Sequence, residues 1–433
     1  MPVSSRLRES LVSVYMAAVE AALPDESLIP HLPPMPKGRL IILAAGKAAG
    51  SMVPAAERHY LDTLKVDPAR LAGLAVARHG YGATTRLIPM LEAGHPVPDA
   101  ASLDAAARAL ELALNARADD LVLVLLSGGG SANWIAPAGR LTLTEKQEIT
   151  RLLLRSGAAI DEINSVRKRL SRIKGGRLAL AAWPAPVLTL AVSDVPGDEP
   201  GIIASGPTVA DATSNADARA VIRKYDIALP ASARDLLDDP AMETPKPGDP
   251  ALSRSSFRII AKPSMAIEAA IRQCRALGYE PVSLGADLKG EARFVAADHA
   301  RQAVVLKRAG KRAALVSGGE LTVTIKGHGR GGPNQEYALG LALALGGEAG
   351  IAAISGDTDG TDGGGGSATD PAGALIDAST LSRAGALGLD AVAMLADNDS
   401  TGFFEALGDL LTPGPMLTNV NDCRVILIDP AGD

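Results

Sequence analysis

The sequence predicts an α/β protein of two three-layer α/β/α domains, the first Rossmann-like with a mostly parallel sheet and the second with a mixed sheet. Three observations carry this reading. Apolar strand-like runs alternate with helical patterns through the first half, as βαβ units require. The 433 residues exceed what one hydrophobic core supports. Between residues 230 and 255 the alternation gives way to a proline-rich stretch of mixed charge, and then it restarts. The expected domains span residues 1–240 and 255–433, and the stretch between them reads as a linker or an irregular excursion.

The chain opens on an amphipathic helix with acidic residues inside its apolar run, unlike a secretory signal. RLIILAAG (39–46) is a buried strand feeding a helix at KAAGSMVPAAERHY. LAGLAVARHG is a second strand, and DAASLDAAARALELALNAR is a helix with an Asp cap. LVLVLLSGGG (121–130) is a third strand, followed by a helix near 144–156; VLTLAVSD (187–194) is a fourth strand. After the break come FRIIAK, a helix, PVSLG, a second helix and AALVSGGE. LTVTIKG alternates polar and apolar residues and reads as a half-exposed strand, and CRVILID is the final one. In such a parallel sheet, ligands gather at the carboxyl ends of the strands.

Composition removes several function classes. A net charge of −6 argues against a general nucleic-acid or acidic-membrane binder, and scarce aromatics offer no stacking platform for bases. No apolar run reaches the ~20 residues needed to span a bilayer. Cys274 and Cys423 lack CxxC spacing and read as buried free thiols in a reducing compartment, so the expected location is cytoplasmic. No HExxH, HxxxH or GxSxG pattern is present.

Several motifs carry chemistry. Lys47 stands where the first strand releases into a helix, a natural anion site, although AAGKAAG lacks the Walker A spacing. SGGGSA (127–132) can wrap an anion with backbone N–H groups. NSVRKRLSRIKGGR (164–177) concentrates Arg167, Lys168, Arg169, Arg172, Lys174 and Arg177; its helical spacing places some of them on an exposed face. SDVPGDEPGIIASGPT ends a strand on Asp194, well placed to take a proton or bind a metal. Gly327, Gly329 and Gly332 satisfy G-x-G-x-x-G, the dinucleotide fingerprint. The preceding strand alternates, however, Arg330 sits inside the fingerprint and Pro333 opens the helix. An anion-binding loop carrying Arg330, with Asn334 and Gln335 at the helix start, fits better. SGDTDGTDGGGG holds Asp357, Asp359 and Asp362 but lacks the EF-hand order; an Asx-rich turn and Mg²⁺–nucleotide coordination both remain open.

Together, AAGKAAGSM, GHPVPD, SGGGSA, NSVRKRLSRIKGGRLA, SDVPGDEPGIIASGPT, GGELTVTIKGHGRGGPNQEYALG, SGDTDGTDG and GPMLTNVNDCRV resemble the class II glycerate kinases, the MOFRL family of glycerate 2-kinases. The resemblance covers essentially the whole chain and departs from the family only locally, at Asn133–Trp134, Pro333 and the glycines of 363–366. It implies ATP- and Mg²⁺-dependent phosphorylation of D-glycerate to 2-phosphoglycerate in a cleft between two α/β domains. It implies catalytic roles for Lys47, Asp194 and Arg330. It further implies substrate or nucleotide contacts from Ser127, Gly128, Gly129, Gly130, Ser131, Lys174, Glu320, Asn334, Gln335, Asp357 and Asp362. Asp194 and Asp357 are the metal candidates, with Asp362 also open. A homodimer is compatible with this reading, whereas nucleic acid and membrane partners are not expected. The alternative is an NAD(P)H-dependent hydroxypyruvate reductase, a name given to some relatives. The poor fingerprint context and the missing His–Arg–Glu set of a 2-hydroxyacid dehydrogenase weigh against it.

Overall fold

A computed structural model describes residues 5–195, 197–364 and 367–430. The chain divides into two compact units, one formed by Ser27–Ile260 and the other by Met1–Glu26 together with Ala261–Asp433. Among the described residues no helix is long and apolar enough to cross a membrane.

The first unit holds a sheet of β1 (Leu40–Ala45), β2 (Leu71–Arg78), β3 (Met90–Ala93), β4 (Leu121–Leu126), β5 (Val187–Val192) and β6 (Ser255–Ala261), in the order β3-β2-β1-β4-β5-β6. The pairings among β1 to β5 are all parallel. β1 is buried along its whole length, as a central strand covered on both faces must be. Ile41, Leu43 and Ala45 share one core with Ala105, Ala106 and Ala109 of the helix Ala100–Leu114, while the helix Ala49–Glu57 also packs against β1. That second helix begins at Ala49, just after the strand ends at Ala45, so the short intervening loop lies at the sheet's carboxyl edge. Strand order reverses between β1 and β4, and there the loops after adjacent strands diverge and leave a crevice.

A second, helical core sits between β4 and β6. Its contributors are the helices Leu143–Arg155, Ile160–Arg169, Asn215–Lys224 and Ala231–Asp238. Ala233, Leu236 and Leu237 come from the proline-rich stretch and are buried in it. This stretch is therefore an ordered excursion rather than a linker. Its prolines stand at the starts of helical turns, at Pro240 and Pro250, where a missing N–H costs nothing.

The second unit holds β7 (Glu280–Ser283), β8 (Ala313–Ser317), β9 (Ile351–Asp357), β10 (Gly373–Ile376), β11 (Leu410–Leu411) and β12 (Asp422–Ile428) in the order β11-β10-β9-β12-β8-β7. Only β7 and β8 pair in parallel, so the sheet is mixed. Two sequence expectations change. β6 joins the first sheet beside β5, although its sequence opens the expected second domain. The opening helix Ser5–Glu20 belongs to the second unit, packing on the helix Pro263–Ala276 and on β9 and β12. LTVTIKG also forms no strand. Thr322 makes a lone bridge to Glu291, while the amide of Thr324 is taken by the Glu291 carboxylate and those of Lys326 and Gly327 by Asn398 Oδ1.

Leu11 is fully buried in the opening helix. Leu11→Ala should cost about 3 kcal/mol. Native-state hydrogen exchange should show the loss in the helix Pro263–Ala276 and β12, and not in β1 to β5.

Candidate active site

At the switch point the loops after β1 and β4 are stitched together by close contacts. Gly46 has φ +120°, and a Cβ there would lie 2.4 Å from Ser127 Oγ and 2.6 Å from Ser127 O, so only glycine fits. The amide of Lys47 donates to Gly128 O (2.9 Å), and that of Ala48 donates to Ser127 Oγ (2.9 Å). Ser127 is thus a buried brace that fixes where Lys47 emerges, half-buried, at the head of the crevice. Gly129 takes φ +85°, and a Cβ on Gly130 would come within 3.1 Å of Ala45 O. The small residues let the second loop lie against the end of β1. Asp194 follows β5, the next strand over, and is also half-buried.

Beside these loops Ser131 forms a polar hub. Lys174 Nζ donates to its carbonyl (2.7 Å) and its hydroxyl (2.9 Å), and Arg167 Nη2 donates to the same hydroxyl (3.0 Å). Both cations can only donate, so the Ser131 proton is directed to Ser205 Oγ at 2.6 Å. Ser205 then donates to Asn164 Oδ1 at 3.1 Å. The hub recruits the IIASGPT turn, where Ala204 and Ser205 take φ +49° and +62°. Lys174 is a sequence-derived candidate, and the structure places it against Ser131, another one.

The cationic run is not a solvated face. Lys168, Arg169 and Lys174 are all buried. Lys168 (3.3 Å) and Arg169 (2.6 Å) pair with Asp211, whose carboxyl is held below its ordinary range by these cations and by the hydroxyls of Thr213 and Thr244, burial notwithstanding. Lys146 escapes a motif search. It lies on the buried stripe of its helix with Ile149 and Leu153, and that spacing is the signal that reveals it. Its Nζ donates to the carbonyls of Arg167 (2.9 Å) and Leu170 (2.7 Å), which end the helix Ile160–Arg169.

In the second unit the glycine-rich loop faces its own chain. A Cβ on Gly327 would lie 2.3 Å from Asp397 O, one on Gly329 2.3 Å from Asp399 Cβ, and one on Gly332 2.4 Å from the Asp362 backbone. The loop's amides are used in the same way. His328 N donates to Asp397 Oδ1 (3.0 Å), Gly329 N to Asp397 O (2.9 Å) and Arg330 N to Asp399 Oδ1 (3.1 Å). The fingerprint glycines are there for backbone packing, and these amides are not offered to a phosphate. What the loop presents is the exposed Arg330 side chain, which pairs with Glu405 at 2.7 Å. Glu320 is exposed after β8.

Asn334 and Gln335 also have internal partners. Their amides both donate to the Asp362 carboxylate, at 2.9 Å each, so this buried aspartate caps the helix Pro333–Leu345. Gln335 Nε2 adds a bond to Asp362 Oδ2 (3.0 Å), and Asn334 Nδ2 donates to Asp422 Oδ1 (2.7 Å). Asp422 is in turn gripped by Arg424 Nη1 at 2.6 Å. Burial pushes the Asp362 carboxyl up to about 7, with the Asp422 charge adding to it and the amide bonds pulling the other way. The aspartate loop bears out the Asx-turn reading: Asp359 N donates to Asp357 Oδ1 (2.9 Å) and Thr361 N to Asp359 Oδ1 (2.8 Å). Of the glycine run after it, Gly365 and Gly366 lie outside the described residues. Among the described residues no three His, Cys, Asp or Glu side chains gather as a metal cage.

A switch-point crevice lined by glycine loops, hydroxyls and buried cations defines an anion-handling α/β protein. Residues 10–238 match a family described as a domain of unknown function (DUF4147), and residues 313–422 match the MOFRL family. The chain is 37% identical to D-glycerate 2-kinase of Thermotoga maritima, over 98% of each chain. It is 46% identical to an Agrobacterium vitis protein with the provisional name hydroxypyruvate reductase, over 97% of this chain and 94% of that one. It superposes on a crystal structure of Thermotoga maritima glycerate kinase with a TM-score of 0.87, covering 98% of this chain and all of the other. The chain belongs to the MOFRL-type glycerate 2-kinase family.

Two outcomes follow from the loop geometry. Gly329→Ala should lower the melting temperature by several degrees in calorimetry; a cofactor-facing glycine would instead leave stability intact. An unfolded aspartate titrates near ~4, below the folded value, so protonation of Asp362 favours the fold and that contribution is lost as pH rises through about 7. Asp362→Asn should therefore flatten the fall in melting temperature between about pH 4 and 7.

Proposed function

We propose that the protein is a kinase that transfers the γ-phosphoryl group of ATP to the 2-hydroxyl of D-glycerate. The observation that carries this reading is the placement of Lys47, the SGGGSA loop and Asp194 after three adjacent strands at the switch point of the first sheet. Full-length likeness to glycerate 2-kinases supplies the substrate.

Phosphoryl transfer asks a protein mainly for positioning and for neutralisation of charge. Asp194 accepts the proton of the 2-hydroxyl as its oxygen bonds to phosphorus and the bond to the ADP oxygen breaks. Lys47, anchored through its amide to Gly128, places its ammonium group against the substrate's negative charge. Arg330 acts through its guanidinium alone, since its amide is committed to Asp399. It must leave Glu405 or share it, at little cost, because an exposed ion pair contributes only ~0–1 kcal/mol. Mg²⁺, when bound, would offset the negative charge of the phosphates. Carboxylate oxygens suit that cation, and it takes only one or two of them from a protein. Asp194 or Asp357 is the proposed holder. Asp362, Asn334 and Gln335 are assigned a supporting role instead, because they satisfy one another.

The reductase reading loses its main sequence support with the glycine loop packed against 397–400. Purified protein should form ADP in the presence of D-glycerate and Mg²⁺ and should not oxidise NADH on hydroxypyruvate. The opposite pattern in the two assays would sink the kinase reading. Lys47→Ala and Asp194→Ala should each lower kcat at least ~100-fold with unchanged circular dichroism. Arg330→Ala should also lose most turnover; near-full activity would remove it from the site.

A further inference from the structure

Two buried lysines and a half-buried arginine of the first unit surround one cavity where, among the described residues, no acid matches them. Lys146, Arg167 and Lys174 line a space of about 150 Å³ whose walls include Pro96, Pro98, Ile135 and Leu154; Arg151 also lines it but pairs with Glu148. Among the described residues no aspartate or glutamate lines it. The contrast with their neighbours is informative. Lys168 and Arg169, from the same short run, are neutralised by Asp211. A buried charge with no counter-ion costs several kcal/mol, and here two buried lysines stand beside a half-buried arginine. Burial pushes the Lys174 ammonium well below its ordinary value, and the charges of Arg167 and Lys146 push it further. Arg167 is lowered by burial to about 10 and stays charged at neutral pH.

Lys146 spends two protons on helix carbonyls, and Lys174 spends two on Ser131. Among the described residues the Arg167 guanidinium has one hydrogen bond, to Ser131 Oγ, and its buried Nε has no partner. A guanidinium edge left open in an apolar, cation-lined space matches the two oxygens of a carboxylate. The space is of the size that holds a benzene-sized molecule. It therefore admits a three-carbon acid, while a nucleotide is too large for it.

We propose that this cavity seats the carboxylate of the hydroxy-acid substrate, with Arg167 as its direct partner and Lys174 fixing Arg167 and Ser131 around it. Lys146 supplies further positive potential from the cavity wall. This assignment rests on the reading of the substrate as a small 2-hydroxy acid. The apolar walls contact the carbon chain, and the anchored carboxylate limits which hydroxyl is presented for transfer.

The test combines calorimetry with initial-rate kinetics. Wild-type protein without nucleotide should bind D-glycerate and D-lactate but not glycerol. Arg167→Gly should weaken D-glycerate binding and raise its KM by about 30-fold, the loss of one charge-assisted contact, with the KM for ATP unchanged. Millimolar guanidinium should restore part of the binding, which a purely structural defect would not allow. If Arg167→Gly does not fold, Arg167→Gln takes its place and should show the same split between the two KM values. A raised KM for ATP with that for D-glycerate unchanged would make the cavity a phosphate seat and overturn the proposal. No change in either would overturn it too. If the wild type binds D-lactate through Arg167 but forms no ADP with D-glycerate, the kinase reading fails and the carboxylate seat stands.

Discussion

Everything at the candidate site follows from the reversal of strand order between β1 and β4. The two strands are neighbours, but the chain leaves them toward opposite sides of the sheet, so backbone cannot fill the space above the seam. Gly46 and the glycines after Ser127 allow the two loops to touch across that seam, and the Ser127 hydroxyl locks one to the other. The backbone of Lys47 is held by this brace, which gives a long, flexible side chain a defined point of origin. The same geometry makes the glycines intolerant of substitution without their ever meeting a ligand.

The polar chemistry of the first unit is graded by how its charges are matched. Where a cation serves the fold, an acid or a set of carbonyls meets it, as Asp211 meets Lys168 and Arg169. Around Ser131 the matching stops. The hydroxyl accepts from Lys174 and Arg167 and hands its single proton to Ser205, so the hub is directional and leaves net positive charge at the cavity. The second unit follows the opposite rule. Its glycine loop, its aspartate loop and the helix that begins at Pro333 consume one another's donors and acceptors. That makes it a rigid holder for Arg330, whose side chain is exposed and paired with Glu405.

How legible this was depended on the range of the interactions. The strands of the first sheet read directly from their apolar runs because buried parallel strands need no alternation. Lys47, Ser131, Lys174 and Asp194 were visible as residue types at strand ends or in a dense motif. Arg167 was visible only as one cation among six, because nothing local separates it from Arg169. Asp211, some forty residues further on, makes that distinction. LTVTIKG shows the converse failure. Its alternation is a good strand pattern, yet Glu291 and Asn398 take the amides that a neighbouring strand would need.

By itself the sequence determined the α/β class, the order of the main strands, the family resemblance and the short list of chemical groups. Those depend on periodicity and on residue type, which are local properties. Only the tertiary structure decided which groups remain available for a ligand. It turned G-x-G-x-x-G into a packing motif, Asp362 into a helix cap and a run of cations into one matched pair and one unmatched cavity. The physical reason is that a donor's availability depends on whether a distant segment has already claimed it.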